Sequence, residues 1–186
     1  MIARTGTLAE KLGTTVHLSP LLAKAARLGL GNSTSLASLA IQRGCTHYRS
    51  YRSPVNTGFP DISRNQLSDE ELAVGLLSPN WPYDPTLIRI GAQLLSGEHC
   101  NPETLSRLAR QERCGPVLRY IATCGARTEP WSSFWKNLLD HTGAVRLPAA
   151  DTMPHPSRFR AETGIPNPHR PGLPLQRWLR PSSTRP

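Results

Sequence analysis

The sequence predicts an all-α protein: a small orthogonal bundle of about five short helices between a weakly helical N-terminal segment and a disordered C-terminal tail. Four apolar stretches with helical spacing, each headed by a proline, occupy the middle of the chain, and a capping box precedes them. The last 43 of the 186 residues hold 9 of the 18 prolines and show no sustained periodicity. We therefore divide the chain into an extension at 1–66, a helical core domain at 67–142 and a Pro/Arg-rich tail at 143–186.

The first core helix has the most complete start signal. Ser68 is a predicted N-cap, and Glu71 follows three residues later, which is the spacing of a capping box. Leu67 and Leu72 occupy the positions of the matching hydrophobic staple. Both devices fix where a helix begins, so we expect a helix from residue 69 that ends before Pro79.

Four more core helices each follow an X-Pro pair, because proline lacks the N–H group that a first helical turn leaves unpaired. The predicted ranges are 85–96, 102–113, 116–124 and 130–141. Gly91 lies inside the most apolar of them, where a glycine costs about 1 kcal/mol relative to alanine, so we expect a closely packed neighbour there. Gly125 is predicted to end the fourth core helix.

A weak internal repeat offers an alternative arrangement of these helices. The pattern Pro85-x-Leu87-x-x-Ile90 recurs 31 residues later, a period suited to two stacked helix pairs. Two copies do not establish a repeat array, so the orthogonal bundle is the preferred arrangement.

The fifth core helix carries two tryptophans on its predicted apolar face. That face consists of Trp131, Phe134, Trp135, Leu138 and Leu139, at i, i+3, i+4, i+7 and i+8. We favour the interpretation in which Trp131 and Trp135 complete this core. The alternative is that they form part of a partner or homodimer surface, because a core of this size buries only a modest fraction of its surface.

The formal net charge of +9 is unevenly distributed along the chain. Residues 1–60 carry +6, residues 61–143 carry −2, and residues 144–186 carry +5. The predicted core is therefore slightly acidic, and the positive charge lies on the two ends. This distribution bears on what the ends contact, and it makes nonspecific phosphate binding a candidate role.

Three interpretations of the N-terminal extension remain open. The Ala9-x-x-x-Gly13 spacing suggests a helix-turn-helix, and the basic, acid-poor composition suggests an organelle targeting peptide. The preferred interpretation is a poorly ordered extension, or a start codon assigned too early. Two weak helices are expected within it, one from Pro20 with Ser19 as its cap and one from Ser33.

Two short segments are candidate binding elements. In the first, Arg49, Tyr51 and Arg52 interleave arginines with an aromatic ring, a pattern that contacts nucleic acid. The second is a tail segment that folds on a protein partner, with Trp178 as its anchor. Its candidate residues are Leu175, Arg177, Trp178, Leu179 and Arg180. The alternatives are a solvated linker in the first case and an inert tail in the second.

No motif in the sequence is specific for catalysis or metal binding. Glu98-His99-Cys100 is the densest cluster of reactive residues, but adjacent residues rarely bring a thiol and an imidazole within hydrogen-bond reach. The four cysteines lack a CxxC pair, and no apolar run approaches the ~20 residues of a membrane span. We therefore expect no enzymatic activity, no cofactor and no metal, and a reducing cytoplasmic location.

These observations favour a non-catalytic α-helical protein-interaction module with flexible basic ends. The alternative is a nucleic-acid-associated protein that uses its basic termini for nonspecific phosphate binding. The first hypothesis expects a protein partner, and the second expects nucleic acid. A homodimer is compatible with both.

Overall fold

A computed structural model describes residues 6–47, 62–168 and 171–182. Eight α-helices and one two-stranded antiparallel sheet lie within these residues. They are α1 (Leu8–Lys11), α2 (Pro20–Arg27), α3 (Ser33–Gln42), α4 (Asp69–Leu76), α5 (Pro85–Leu94), α6 (Pro102–Gln111), α7 (Gly115–Thr128), α8 (Ser133–Thr142), β1 (Arg160–Pro166) and β2 (Pro174–Trp178). The chain is thus mostly helical but not strictly all-α, and the bundle arrangement stays a prediction. None of the helices in these ranges is long and apolar enough to cross a bilayer.

The N-terminal helices begin where their caps predict and join the same apolar core as the later helices. The Ser19 hydroxyl accepts a hydrogen bond from the Leu22 N–H at 2.9 Å, which opens α2. Asn32 caps α3 in the same way. Both helices pack on α4, and Leu21 and Leu36 are buried. The described part of the N-terminal segment is therefore more than the weakly structured extension that its composition suggested, because its leucines have a core to pack against.

The predicted capping box of α4 is confirmed, and a buried ion pair lies beside it. The Glu71 N–H donates to Ser68 Oγ at 3.2 Å, and the Ser68 N–H donates to Glu71 Oε2 at 2.9 Å. The Arg43 guanidinium donates to Asp69 Oδ1 at 2.8 Å and to the Ile62 carbonyl at 3.1 Å. Burial lowers the pKa of Arg43, against the opposing attraction of Asp69. The pair joins the end of α3 to the start of α4.

Two glycines permit close helix packing. A Cβ added at Gly91 would lie 2.9 Å from Leu77 Cδ2, so the closely packed neighbour predicted for Gly91 is confirmed. Gly125 does not end its helix as predicted, because α7 continues to Thr128. A Cβ at Gly125 would overlap the ring of Trp135. The glycine is therefore used for contact between α7 and α8 rather than for termination.

The described part of the tail, residues 143–168 and 171–182, folds back on the helices, which corrects the prediction of a disordered segment there. Strands β1 and β2 pair antiparallel, with Arg160 opposite Trp178, and the register is irregular between Glu162 and Pro166. The Trp178 ring stacks on Phe159 at a centroid distance of 5.2 Å and meets the edge of Trp135 at 4.6 Å. Composition predicted disorder because it is an average over the segment. It carries no information about the packing of Trp178 on Phe159 and Trp135, which holds the segment in place.

Candidate functional site

The predicted anchor of the tail motif, Trp178, is an internal residue of this fold. Its side chain is 3 % exposed. The indole N–H donates to the Ala92 carbonyl at 3.1 Å, and the backbone N–H donates to Glu129 Oε1 at 3.2 Å. Trp178 therefore holds the β-hairpin on the helices and is not presented to a partner in this conformation.

Glu129 is the polar centre of this attachment. Its buried carboxylate accepts from both Nη atoms of Arg180, at 2.8 and 2.5 Å, and from the Trp135 indole N–H at 3.1 Å. Burial alone would raise the pKa of Glu129, but the hydrogen bonds from Arg180, Trp135 and Trp178 and the charge of Arg180 together lower it below its ordinary value. The hydrogen bond to Glu129, together with the charge of Glu129, raises the pKa of Arg180 against the effect of burial.

The remaining candidate residues of the tail lie in different environments. Leu175 lines a cleft at the surface, and Arg177 is exposed and lines a neighbouring groove. Leu179 is half-buried, and its N–H donates to the Phe159 carbonyl at 2.9 Å. The three candidate nucleic-acid contacts, Arg49, Tyr51 and Arg52, lie outside the described residues.

The cleft lined by Leu175 has a volume of about 420 Å³ and separates the α7–α8 turn from the β-hairpin. We call it the Trp131 cleft. Its walls are formed by Arg127, Thr128, Pro130, Trp131, Arg160, Glu162, Asn167, Leu173, Pro174, Leu175 and Gln176. A groove of about 490 Å³ lies on the other side of the same tryptophan and includes Arg177. Trp131 therefore contributes to two adjoining concave surfaces.

Trp131 is exposed because α8 begins later than predicted. The N–H of Glu129 closes the end of α7 on the Gly125 carbonyl, and the Ser132 N–H donates to the Glu129 carbonyl at 3.0 Å. This turn takes Trp131 off the helical face, so Trp131 is 55 % exposed whereas Trp135 is fully buried. The prediction that these tryptophans complete the core holds for Trp135 and fails for Trp131.

The charge around Trp131 is predominantly positive. Arg127 and Arg160 line the cleft together with one carboxylate, Glu162. The Arg160 Nε is buried and has no hydrogen-bond partner among the described residues. Arg180, in contrast, is neutralised by Glu129.

The reactive residues singled out in the sequence do not converge. All four cysteines are buried free thiols, and burial raises the pKa of Cys45 and of Cys114 to about 12. Cys100 points inward and donates to the Leu94 carbonyl at 3.5 Å, whereas His99 is exposed. Within residues 6–47, 62–168 and 171–182, no three His, Cys, Asp or Glu side chains are grouped as a metal site requires.

Comparisons with protein-family models, curated proteins and solved structures give no match to this chain. The function is therefore inferred from the shape and charge of the surface around Trp131. That surface combines an exposed indole, a concave apolar wall and arginines, which are the residue types that dominate binding energy in protein interfaces.

Proposed function

We propose that this chain is a non-catalytic interaction module that binds an acidic peptide segment of a partner protein in the Trp131 cleft. The observation that carries the proposal is an exposed indole at the mouth of a cleft whose charged walls are mainly arginine. The buried thiols, with their raised pKa values, are consistent with a role that needs no cysteine nucleophile.

The apolar part of the cleft suits a single hydrophobic anchor on the partner. Leu173 is 55 % exposed, like Trp131, and Leu175 and Pro174 extend the wall between them. Each exposed apolar side chain loses contact with water when an anchor residue enters the cleft. A cleft of this volume accepts one large side chain rather than a folded domain.

The charged part of the cleft suits carboxylates that flank such an anchor. Arg127 and Arg160 outnumber Glu162 in the lining, so the cleft carries net positive charge. The unpartnered Nε of Arg160 provides a buried donor, and charge-assisted hydrogen bonds from arginine to carboxylate are stronger than neutral ones. The net positive charge of the lining therefore favours an acidic peptide over a basic one.

Nucleic acid is the alternative partner. Arg127 and Arg177 flank Trp131, and such an arrangement can stack a base and hold phosphates. The peptide is favoured because leucine and proline form much of the cleft wall. A homodimer is compatible with either partner and stays a prediction.

Fluorescence anisotropy with labelled probes tests the proposal on the full chain. The probes are a peptide with a central leucine flanked by glutamates, the matched peptide with lysines in their place, and single-stranded oligothymidylate. We expect saturable binding of the acidic peptide, weakened at least about tenfold by Trp131→Ala. Leu147→Ala is the matched control because Leu147 is also an exposed apolar residue but lies outside the cleft.

Two results would contradict the proposal. The first is an acidic peptide that does not bind, or that binds equally to the Trp131→Ala variant. The second is salt-sensitive binding of oligothymidylate without binding of either peptide, which would replace the peptide by nucleic acid as the partner.

A further inference from the structure

A second cleft, of about 700 Å³, lies between the segment that precedes α2 and the C-terminal end of α6. We call it the His17 cleft. The residues that matter for its chemistry are His17, Leu21, Arg107, Leu108, Glu112 and Arg113. Its volume falls within the range of sites that hold small molecules. None of these residues lines the Trp131 cleft, so this site is independent of the proposed function.

The position of His17 is fixed although the segment around it is irregular. Asn80 Oδ1 accepts from the His17 N–H at 3.2 Å, and Asn80 Nδ2 donates to the His17 carbonyl at 2.7 Å. The imidazole is only 8 % exposed, and both of its nitrogens are buried without a hydrogen-bond partner among the described residues. Both nitrogens of this buried imidazole therefore keep unused hydrogen-bonding capacity.

Glu112 does not form a hydrogen bond to the His17 ring. Its carboxylate is buried at 3 % exposure and accepts from the Ser19 hydroxyl and, at 3.2 Å, from the Leu21 N–H. The distance from His17 Nε2 to Glu112 Oε2 is 3.6 Å, which is beyond hydrogen-bond length. Glu112 therefore orients the loop before α2 and lies beside the imidazole without forming a hydrogen bond to it.

Two exposed arginines form the rim of the His17 cleft. Neither Arg107 nor Arg113 takes part in the ion pairs found between described residues; Arg107 donates to Gln111 Oε1 at 3.2 Å. Arg113 has a φ of 57°, the left-handed conformation that closes many helices and that favours glycine. An arginine at this position strains the end of α6 and places a guanidinium at the cleft.

We infer that the His17 cleft binds a small organic monocarboxylate with an apolar body. The carboxylate is held by the rim arginines and the imidazole of His17, and the apolar body packs on Leu21 and Leu108. Lys24, Arg107 and Arg113 line the cleft together with the carboxylates of Glu71 and Glu112. Counted without His17, the formal net charge of the lining is +1, which matches one negative charge better than a dianion such as phosphate.

Nuclear magnetic resonance of the histidine-labelled full chain tests this inference, with octanoate, the neutral octanol and inorganic phosphate as probes. We expect octanoate to shift the His17 ring resonances saturably and octanol and phosphate to leave them unchanged. Arg113→Gly should weaken octanoate binding at least about fivefold and also raise the urea midpoint, since glycine relieves the strain at this position. Arg113→Lys should retain part of the affinity, because it keeps the charge.

The matched control is Arg146→Gly, which removes an exposed arginine outside both clefts. It should leave octanoate binding unchanged. The inference is overturned if octanoate does not perturb His17, if octanol binds as tightly as octanoate, if phosphate binds more tightly than octanoate, or if Arg113→Gly keeps full affinity. Because Arg113→Gly is expected to stabilise the fold, unfolding does not explain its loss of binding.

Discussion

Replacement of Glu129 by alanine is expected to release the β-hairpin from the helices. The carboxylate is buried and accepts from the Trp135 indole, the Trp178 backbone and the Arg180 guanidinium. Alanine supplies none of these acceptors. The two N–H groups of the tryptophans are then left buried and unpaired, whereas Arg180, whose side chain is 41 % exposed, can turn to water.

The size of the effect follows from these environments. Each unsatisfied buried N–H costs about 1–3 kcal/mol, and loss of the partly exposed ion pair adds about 1 kcal/mol or less because solvent screens it. We therefore expect Glu129→Ala to lower the free energy of unfolding by about 2–7 kcal/mol. Glu129→Gln keeps one acceptor oxygen and should lose roughly half as much.

Urea unfolding followed by tryptophan fluorescence measures this difference. Glu98→Ala is the matched control, because Glu98 is an exposed loop glutamate, and it should change stability by less than about 0.5 kcal/mol. A loss below about 1 kcal/mol in Glu129→Ala would refute the reasoning, since it would mean that the tail attaches without this carboxylate.

The same carboxylate makes stability depend on pH. The pKa of Glu129 is lowered in the folded state. As the solution is acidified, the Glu129 carboxylate is therefore protonated at a higher pH in the unfolded chain than in the folded chain. The contribution of Glu129 is therefore complete well above its unfolded pKa of about 4.3 and is lost as pH falls through the lower folded value. The difference in the free energy of unfolding between the wild-type chain and Glu129→Gln should become smaller as the pH falls through this range. A difference that stays constant would contradict a lowered pKa of Glu129 in the folded protein.

Three further outcomes are expected. Gly125→Ala should destabilise the fold by about 1–3 kcal/mol in urea, because the new Cβ overlaps a buried indole, whereas Gly115→Ala, with open space at its Cβ, should not. Arg43→Ala should lower the free energy of unfolding by about 1–3 kcal/mol, because the buried Asp69 carboxylate loses one partner but keeps the hydrogen bond from Arg64 Nε at 2.9 Å. An unchanged melting temperature would contradict this. In the native protein, the four cysteines should react with Ellman's reagent at pH 8 more than about a thousandfold slower than a free thiol, because they are buried and burial raises the pKa of Cys114 to about 12. They should react fully once urea unfolds the chain. Rapid labelling of the native protein would contradict this, since it would show that the thiols are accessible.

Local signals predicted the helices, and distant contacts decided the rest. Ser68 and Ser19 cap the helices they were expected to cap, because a cap involves only the next few residues. Gly125 was misinterpreted as a terminator because its role depends on an indole ten residues away on another helix. The hairpin was missed because Trp178 is held by Glu129 and Ala92, whose positions no local pattern reveals.

The candidate sites were predictable only in part. Leu175 and Arg177 were selected from the sequence, and both border the concave surfaces around Trp131. The preferred interpretation placed Trp131 in the core, because an X-Pro pair marks a helix start where the structure has a turn. The His17 cleft had no sequence signal, since His17 and Glu112 lie 95 residues apart and meet only through the fold.

The attachment of the hairpin has a consequence for the order of folding. The contacts that hold it span long stretches of chain: Ser96 reaches Leu179 across 83 residues, and Thr46 reaches Ser182 across 136. Loops of this length form slowly, whereas the capped helices need only neighbouring residues. We expect the helices to assemble first and the hairpin to dock last. An intermediate that lacks the hairpin would expose the part of the Trp135 ring that Trp178 covers in the folded chain.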